Sequence, residues 1–228
     1  MDDSINYFMR GTIKLFILFV VTLALFFVFK PKEMTLRQYI LKSVYPIMMF
    51  FGKVFPAKNA FLSNDKNIIP TTSFYNLKAT SIDGKEISFS TFKGKKVMIV
   101  NTASDCGYTA QYDELEKLYQ QNKNNLIIIG FPANDFKEQE KKSNDEIATF
   151  CKRNYGVSFL LMQKSHVLKN AEQNEVFNWL THASKNGWCN QQPIWNFNKY
   201  IINETGILTN FASNNISPLD KRIVKAIK

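Results

Sequence analysis

Two apolar runs, residues 97–101 (VMIVN) and 126–131 (LIIIGF), interrupt a chain of mixed apolar and polar character. Runs of this length and composition read as strands buried on both faces. Between them Tyr112, Leu115, Leu118 and Tyr119 recur at helical spacing and predict a helix over about 110–123. Strand, helix and strand in that order imply a parallel crossover. Upstream, 74–92 reads as a hairpin with Asp83-Gly84 at its turn. Downstream, Ser143-Asn144-Asp145-Glu146 is a capping box that opens a helix to about 152. A short strand is predicted at 159–162 and a helix at 172–184. A hairpin of 199–203 and 207–211 turns at Glu204-Thr205-Gly206, and a helix over 217–228 starts at Ser217-Pro218.

A parallel core, a terminal antiparallel hairpin and flanking helices make a thioredoxin-like α/β fold, a central mixed sheet between helical layers. The unit so defined spans 73–228. Ahead of it lie a tail with an apolar run (1–33) and a segment at 34–72. There Leu36, Ile40, Val44, Ile47 and Phe51 recur at helical spacing among Arg37, Lys42 and Lys53, with Pro46 interrupting. That segment suits a membrane-surface amphipathic helix, a second short span or a helix packed on the domain. Residues 59–72 are polar, end in Pro70-Thr71-Thr72, and read as a linker.

Residues 11–29 are apolar except for Lys14 and the hydroxyls of Thr12 and Thr22. Such a run reaches about 28 Å at about 1.5 Å per residue, close to the thickness of a bilayer core. Lys30-Pro31-Lys32 follows where a cleavable leader would carry small residues, so an uncleaved single-pass anchor is expected. Arg10 and Lys14 precede the run, and Lys30, Lys32, Arg37 and Lys42 follow it. The positive-inside rule leans toward a cytoplasmic C-terminal domain, whereas a short N-terminal tail held inside would place that domain outside.

The net charge of +10 is scattered and accompanies no nucleic-acid motif, so it reads as solvated and membrane-proximal charge. Cys106, Cys151 and Cys189 are too few for a disulfide framework, and no Cys/His spacing suggests a metal site. Cys106 lies between the end of the 97–101 strand and the helix that follows. Unpaired N–H groups and a positive dipole end gather there and favour the reactive thiolate.

The residues around Cys106 carry a resemblance. Asn101-Thr-Ala-Ser-Asp-Cys106-Gly-Tyr-Thr109 is similar to the first motif of the glutathione peroxidase family. Residues 130–136 (GFPANDF) with Gln139-Glu140 resemble its second, and Trp195-Asn196-Phe197 its third. The resemblance implies a peroxidatic Cys106 assisted by Gln139, Trp195 and Asn196, acting on hydrogen peroxide or organic and lipid hydroperoxides. It implies no cofactor. Cys151 matches the resolving cysteine of the family's thioredoxin-dependent members, so thioredoxin is the expected reductant, with glutathione as the other. The oligomerisation insertion of some members is absent before Trp195, which implies a monomer. Asp105, beside Cys106, opposes thiolate formation unless it points away. Cys189 is a rival resolving residue.

Two other functions use the same thiol. A thiol–disulfide oxidoreductase needs a second cysteine three residues after the first, where Thr109 stands. A peroxide sensor would relay oxidation of Cys106 to a partner.

Overall fold

The structure is a computed structural model that describes residues 30, 31, 33–55 and 59–228, with positions 14, 21 and 28 singly. The apolar run at 11–29, expected to anchor the chain, lies outside the described residues apart from those single positions. Among the described residues no helix is long and apolar enough to cross a membrane.

Six strands form a mixed sheet: β1 (Phe61–Ser63), β4 (Lys96–Thr102), β5 (Leu126–Pro132), β6 (Leu160–Leu161), β7 (Lys199–Ile202) and β8 (Leu208–Ala212). Their order is β1-β8-β7-β4-β5-β6. β4, β5 and β6 run parallel, and β7, β8 and β1 continue the sheet antiparallel. The fold is thioredoxin-like. A two-stranded ribbon, β2 (Lys78–Thr80) with β3 (Glu86–Ser88), stands apart and turns at Gly84, whose φ of 87° suits glycine.

Successive side chains on β4 point to opposite faces. Met98 and Val100 join Tyr112, Leu115, Ile147 and Phe150, from α2 (Gln111–Asn122) and α3 (Asn144–Tyr155). Val97 and Ile99 join Phe74, Phe89, Phe177 and Trp179 on the other side. That second layer is built from 3-10 turns at Phe74–Asn76 and Phe89–Phe92 and from two short helices, α4 (Glu175–Leu180) and α5 (Ala183–Asn186). The chain closes with α6 (Lys221–Ala226).

The structure departs from the sequence reading at three places. The stretch expected to be a linker contains β1, which pairs with β8 and covers its otherwise open edge. Three residues are too few to show periodicity. The helix expected over 172–184 starts later, because Asn174 caps it by accepting from Val176 N–H, and it ends at Thr181, whose Oγ1 donates to Phe177 O. The last helix is capped by Asp220, not Ser217. Ser217 Oγ instead donates to Glu114 at 2.6 Å.

Ahead of the sheet, α1 (Leu36–Val54) opens on a complete capping box of Thr35 and Gln38. One face of this helix packs on the domain. Tyr45 and Gln38 are buried, Lys42 pairs with Asp113 of α2 at 2.8 Å, and Gln111 Nε2 approaches Met49 Sδ at 4.0 Å.

β7 buries one cation. Lys199 is wholly enclosed, and its Nζ donates to Ile216 O at 2.6 Å and Ser213 O at 3.4 Å. Burial without a contacting carboxylate pushes its pKa down to about 7. The unfolded chain therefore binds more protons than the native one above that pH, so this group adds stability as pH rises. The midpoint of urea unfolding should rise between about pH 7 and about pH 8.5 in the wild type and flatten in Lys199→Met. An equal slope in both proteins would contradict the assignment.

Candidate active site

The site is built where β4 ends. Its last residues pair with β5, Asn101 opposite Phe131 and Thr102 opposite Pro132. The loop that follows carries Ser104, Asp105 and Cys106. Thr109 Oγ1 ties it down, accepting from Cys106 N–H at 3.1 Å and lying 2.7 Å from Cys106 O and 2.9 Å from Ala103 O. Glu140 supports it from beneath. One carboxylate oxygen accepts from Ser104 N–H at 2.8 Å and Ser104 Oγ at 2.9 Å, and the other has no partner. Burial pushes the pKa of Glu140 up to about 7. Asp105 N–H donates to Gln139 O at 3.1 Å, so the loop carrying Gln139 and Glu140 is laced to the one carrying the thiol.

Asn101 recruits the third segment. Its Nδ2 donates to Trp195 O at 2.8 Å, its Oδ1 accepts from Asn198 N–H at 3.0 Å, and its carbonyl accepts from Phe197 N–H at 2.6 Å. Three short bonds thus hold residues 195–198 against the end of β4. They impose a φ of 69° on Phe197, a conformation costly for a bulky side chain. The Phe197 ring is held edge-on to Tyr112, with centroids 5.3 Å apart. Lys137 and Glu138, just before Gln139, also take left-handed φ values of 50° and 52°. Strained backbone therefore flanks both Gln139 and Asn196.

The result is convergence. Trp195 and Asn196 side chains donate toward Cys106 Sγ, and Tyr108 N–H lies 3.4 Å from it. Asn196 Nδ2 also donates to Gln139 Oε1 at 3.0 Å, so the glutamine joins the group through the asparagine. Trp195 is steadied by the Phe136 ring at 5.7 Å and by Lys137 Nζ, 5.6 Å above its indole. Cys106 is only 1% exposed. Burial is the largest influence on its thiol and pushes the pKa up. The Tyr108, Trp195 and Asn196 donors and the positive charge of Arg37 pull it back. The expectation that position alone favours thiolate is thus corrected: enclosure outweighs it. α2 begins only at Gln111, so the helix start is not at the sulfur.

Asp105 does not oppose the thiolate as an isolated charge. Its carboxylate accepts from Lys142 Nζ at 2.8 Å on one oxygen and from Gln38 Nε2 at 2.7 Å on the other. Gln38 is 4% exposed, belongs to α1, and also approaches Ser104 O at 3.4 Å. Met48 and Leu41 of α1 crowd Gly107, where an added Cβ would come within 2.9 Å of Met48 Cε. The segment ahead of the domain is therefore a wall of the site. Nothing in the sequence around Cys106 signals this. The one visible clue is the Thr35/Gln38 capping box, which announces a helix and not its partner.

The other cysteines are separated by the sheet. Cys151 shares the hydrophobic cluster of Cys106, whereas Cys189 lies in the cluster on the opposite face. All three are free thiols. Cys151 sits inside α3, fully buried against Tyr112, and its pKa is pushed up to about 12 by that burial. α3 has twelve residues, a capping box and a left-handed Gly156 cap, making it firmer than the short helix expected from the sequence.

A model of the glutathione peroxidase family matches residues 74–181. A glutathione peroxidase-like peroxiredoxin of Chlamydomonas reinhardtii is 42% identical over 142 residues, covering 61% of this chain and 86% of that protein. Another, from Saccharomyces cerevisiae, is 41% identical over 157 residues, covering 67% and 96%. The apo crystal structure of the protein called Trgpx aligns with a TM-score of 0.53 at 31% identity, over 69% of this chain and 96% of that one. A thiol:disulfide interchange protein of Chlorobium tepidum aligns with a TM-score of 0.51 at 16% identity, over 70% and 96%, a likeness of fold alone.

The Asp105 clamp yields a test. Lys142→Met leaves the Asp105 charge less compensated and should move the pH midpoint of Cys106 alkylation by iodoacetamide upward. Asp105→Asn should move it downward. Mass-spectrometric alkylation rates across pH decide. Unmoved midpoints in both variants would show that the carboxylate has no influence on the sulfur.

Proposed function

Because the chain belongs to the glutathione peroxidase family, we propose that it is a thiol peroxidase acting on hydrogen peroxide and on organic and lipid hydroperoxides. The observation that carries this reading is the set of N–H donors gathered on one buried sulfur. The Cys106 thiolate attacks the terminal peroxide oxygen. An S–O bond forms as the O–O bond breaks, and the departing oxygen leaves as water or alcohol after taking a proton. Amide and indole donors suit the task. They stabilise negative charge on sulfur and on the departing oxygen, and none ionises near neutral pH to compete. Burial supports the sulfenic acid by limiting water and further oxidant.

Cys151 is the resolving thiol in this scheme. Its sulfur attacks the sulfenic sulfur, an S–S bond forms, and water leaves. Cys151 is fully buried inside a regular helix, so in this scheme α3 opens around it in each cycle to bring the two sulfurs together. The end of the helix from Cys151 to Tyr155 is the part to release. A dithiol such as thioredoxin then reduces the bond, taking up the oxidising equivalents as its own disulfide. Glutathione is the slower reductant. The place of Cys151 in the same apolar cluster as Cys106, with Cys189 in the cluster across the sheet, favours Cys151 for this role.

Residues 11–29 anchor the enzyme in a membrane as a single copy, with the C-terminal domain on the cytoplasmic side as the charges lean. The domain at 73–228 carries the chemistry, and α1 joins it as a wall of the site. Carbonate-resistant membrane fractionation of the full chain tests the anchor, and a soluble full-length protein would refute it.

Cys106→Ser should abolish peroxide consumption, and Gln139→Ala or Asn196→Ala should slow sulfur oxidation by about a hundredfold in stopped flow. Wild-type turnover in Cys106→Ser would falsify the reading. Peptide mapping after one equivalent of peroxide should find a Cys106–Cys151 bond, and Cys151→Ser should lose thioredoxin-dependent turnover. A Cys106–Cys189 bond, or full turnover without Cys151, would overturn the resolving role.

A further inference from the structure

The helix that holds Cys151 is gripped by a segment outside the family match, which begins at residue 74. Residues 33–42, the lead-in to α1 and its start, reach α3 along its length. Met34 is 2% exposed and sits in the apolar cluster that contains Ile147, Phe150, Cys151 and Tyr155. A turn sets it there: Met34 N–H donates to Pro31 O at 3.1 Å, and Lys30 Nζ donates to Met34 O at 2.6 Å. Glu33 pairs with Arg153 at 3.2 Å across a cleft that Lys142 and Phe150 also line. Lys42 Nζ stands 4.4 Å from the centroid of the Tyr155 ring while it pairs with Asp113 of α2 at 2.8 Å. At the other end of α3, Gln38 is joined to Lys142 through the Asp105 carboxylate. Arg153 and Tyr155 follow Cys151 in the last turn of the helix, the part whose release exposes the thiol.

Resting on the resolving role given to Cys151 above, we propose that residues 33–42 form a clasp that sets the rate of disulfide formation, with Glu33, Met34 and Lys42 as positioning residues for that step. Helix ends ordinarily open before the rest of a domain. Here the last turn of α3 is tied at Arg153 and Tyr155 to a separate segment of the chain. The ion pair is exposed at both ends and on its own holds little. Met34 holds more, because withdrawing it leaves a cavity in the cluster, and a cation over an aromatic ring adds to the grip. While the clasp is shut, Cys151 is enclosed and the sulfenic acid of Cys106 persists. When the end of α3 releases, the Cys151 thiol attacks the sulfenic sulfur. An S–S bond forms, the S–O bond breaks, and the hydroxyl leaves as water with the thiol's proton. A persistent sulfenic acid has a second fate: another peroxide molecule oxidises it to the sulfinic acid and is itself reduced to water or alcohol. The clasp therefore also sets how much enzyme passes to the sulfinic acid at high peroxide.

The test mixes the reduced full chain, in detergent, with hydrogen peroxide, quenches it in acid at successive times and reads the products by mass spectrometry. Two rates are followed, loss of the Cys106 thiol and appearance of the Cys106–Cys151 disulfide. Met34→Ala and the double variant Glu33→Gln/Lys42→Gln should each speed the second by about fivefold, while the first changes by less than about twofold. Sulfinic acid formed at excess peroxide should fall in the same proportion. Independently of activity, hydrogen exchange of the backbone amides at 152–156 in the reduced protein should quicken in both variants. A ratio of the two rates equal to that of the wild type overturns the proposal, whether or not damage to the site has slowed the first. Faster exchange with an unchanged ratio does so as well, since the contact would then hold the helix without governing the chemistry. A Cys106–Cys189 bond in the wild type would instead refute the resolving role of Cys151, and exchange at 152–156 would still report whether this segment holds the end of the helix.

Discussion

The site depends on one buried amide. Asn101, next to last on the central strand, commits its side chain and carbonyl to Trp195, Phe197 and Asn198. Without those bonds the backbone at Phe197 has no reason to hold a left-handed φ, because the strain is sustained only where surroundings over-determine it. The indole and amide donors of residues 195 and 196 are thus aimed at Cys106 by a residue that does not touch the sulfur. Strand β4 supplies the rigidity. It is flanked on both sides by paired strands and packed on both faces.

Around the thiol two effects oppose each other. Enclosure disfavours the anion, and the donors and the Arg37 charge favour it. With the sulfur sealed from water, directed N–H groups take over the stabilisation of its anion. The same reasoning explains the treatment of Asp105. A carboxylate next to the nucleophile is tolerable because Lys142 compensates its charge and Gln38 occupies its other oxygen. Helix α1 therefore shapes the electrostatics of the centre although it precedes all three family motifs in the chain.

The sheet sorts the cysteines by layer. It puts Cys106 and Cys151 in one apolar layer and Cys189 in the other. Holding Cys151 in a regular helix encloses its thiol and sets a cost on exposing it. Ile147, Phe150 and Tyr155 pack α3 onto the core, and exposing each forfeits about 1.5–3 kcal/mol. Residues beyond Cys151 contribute only Tyr155 to that total, so fraying the helix from its Gly156 end is the least costly route.

Much of this was legible in the chain itself. The uninterrupted runs at 97–101 and 126–131 specified paired central strands, because burial on both faces leaves no polar alternation. Ser143 and Glu146 announced α3 because a capping box is satisfied within four residues. The resemblance to three family motifs singled out Cys106, Gln139, Trp195 and Asn196, and the fold brings these residues together. Tertiary structure alone decided what lies far apart in sequence. β1 is three residues long and exists because β8 has an edge to fill. The bond from Gln38 to Asp105 joins positions 67 residues apart, and no local pattern encodes it. Likewise, helical spacing in α1 picked out Leu36, Ile40, Val44, Ile47 and Phe51, yet these are exposed while Leu41, Tyr45 and Met48 face the domain. Periodicity records which side chains share a face, whereas the partner that covers that face is fixed only when the rest of the chain folds against it.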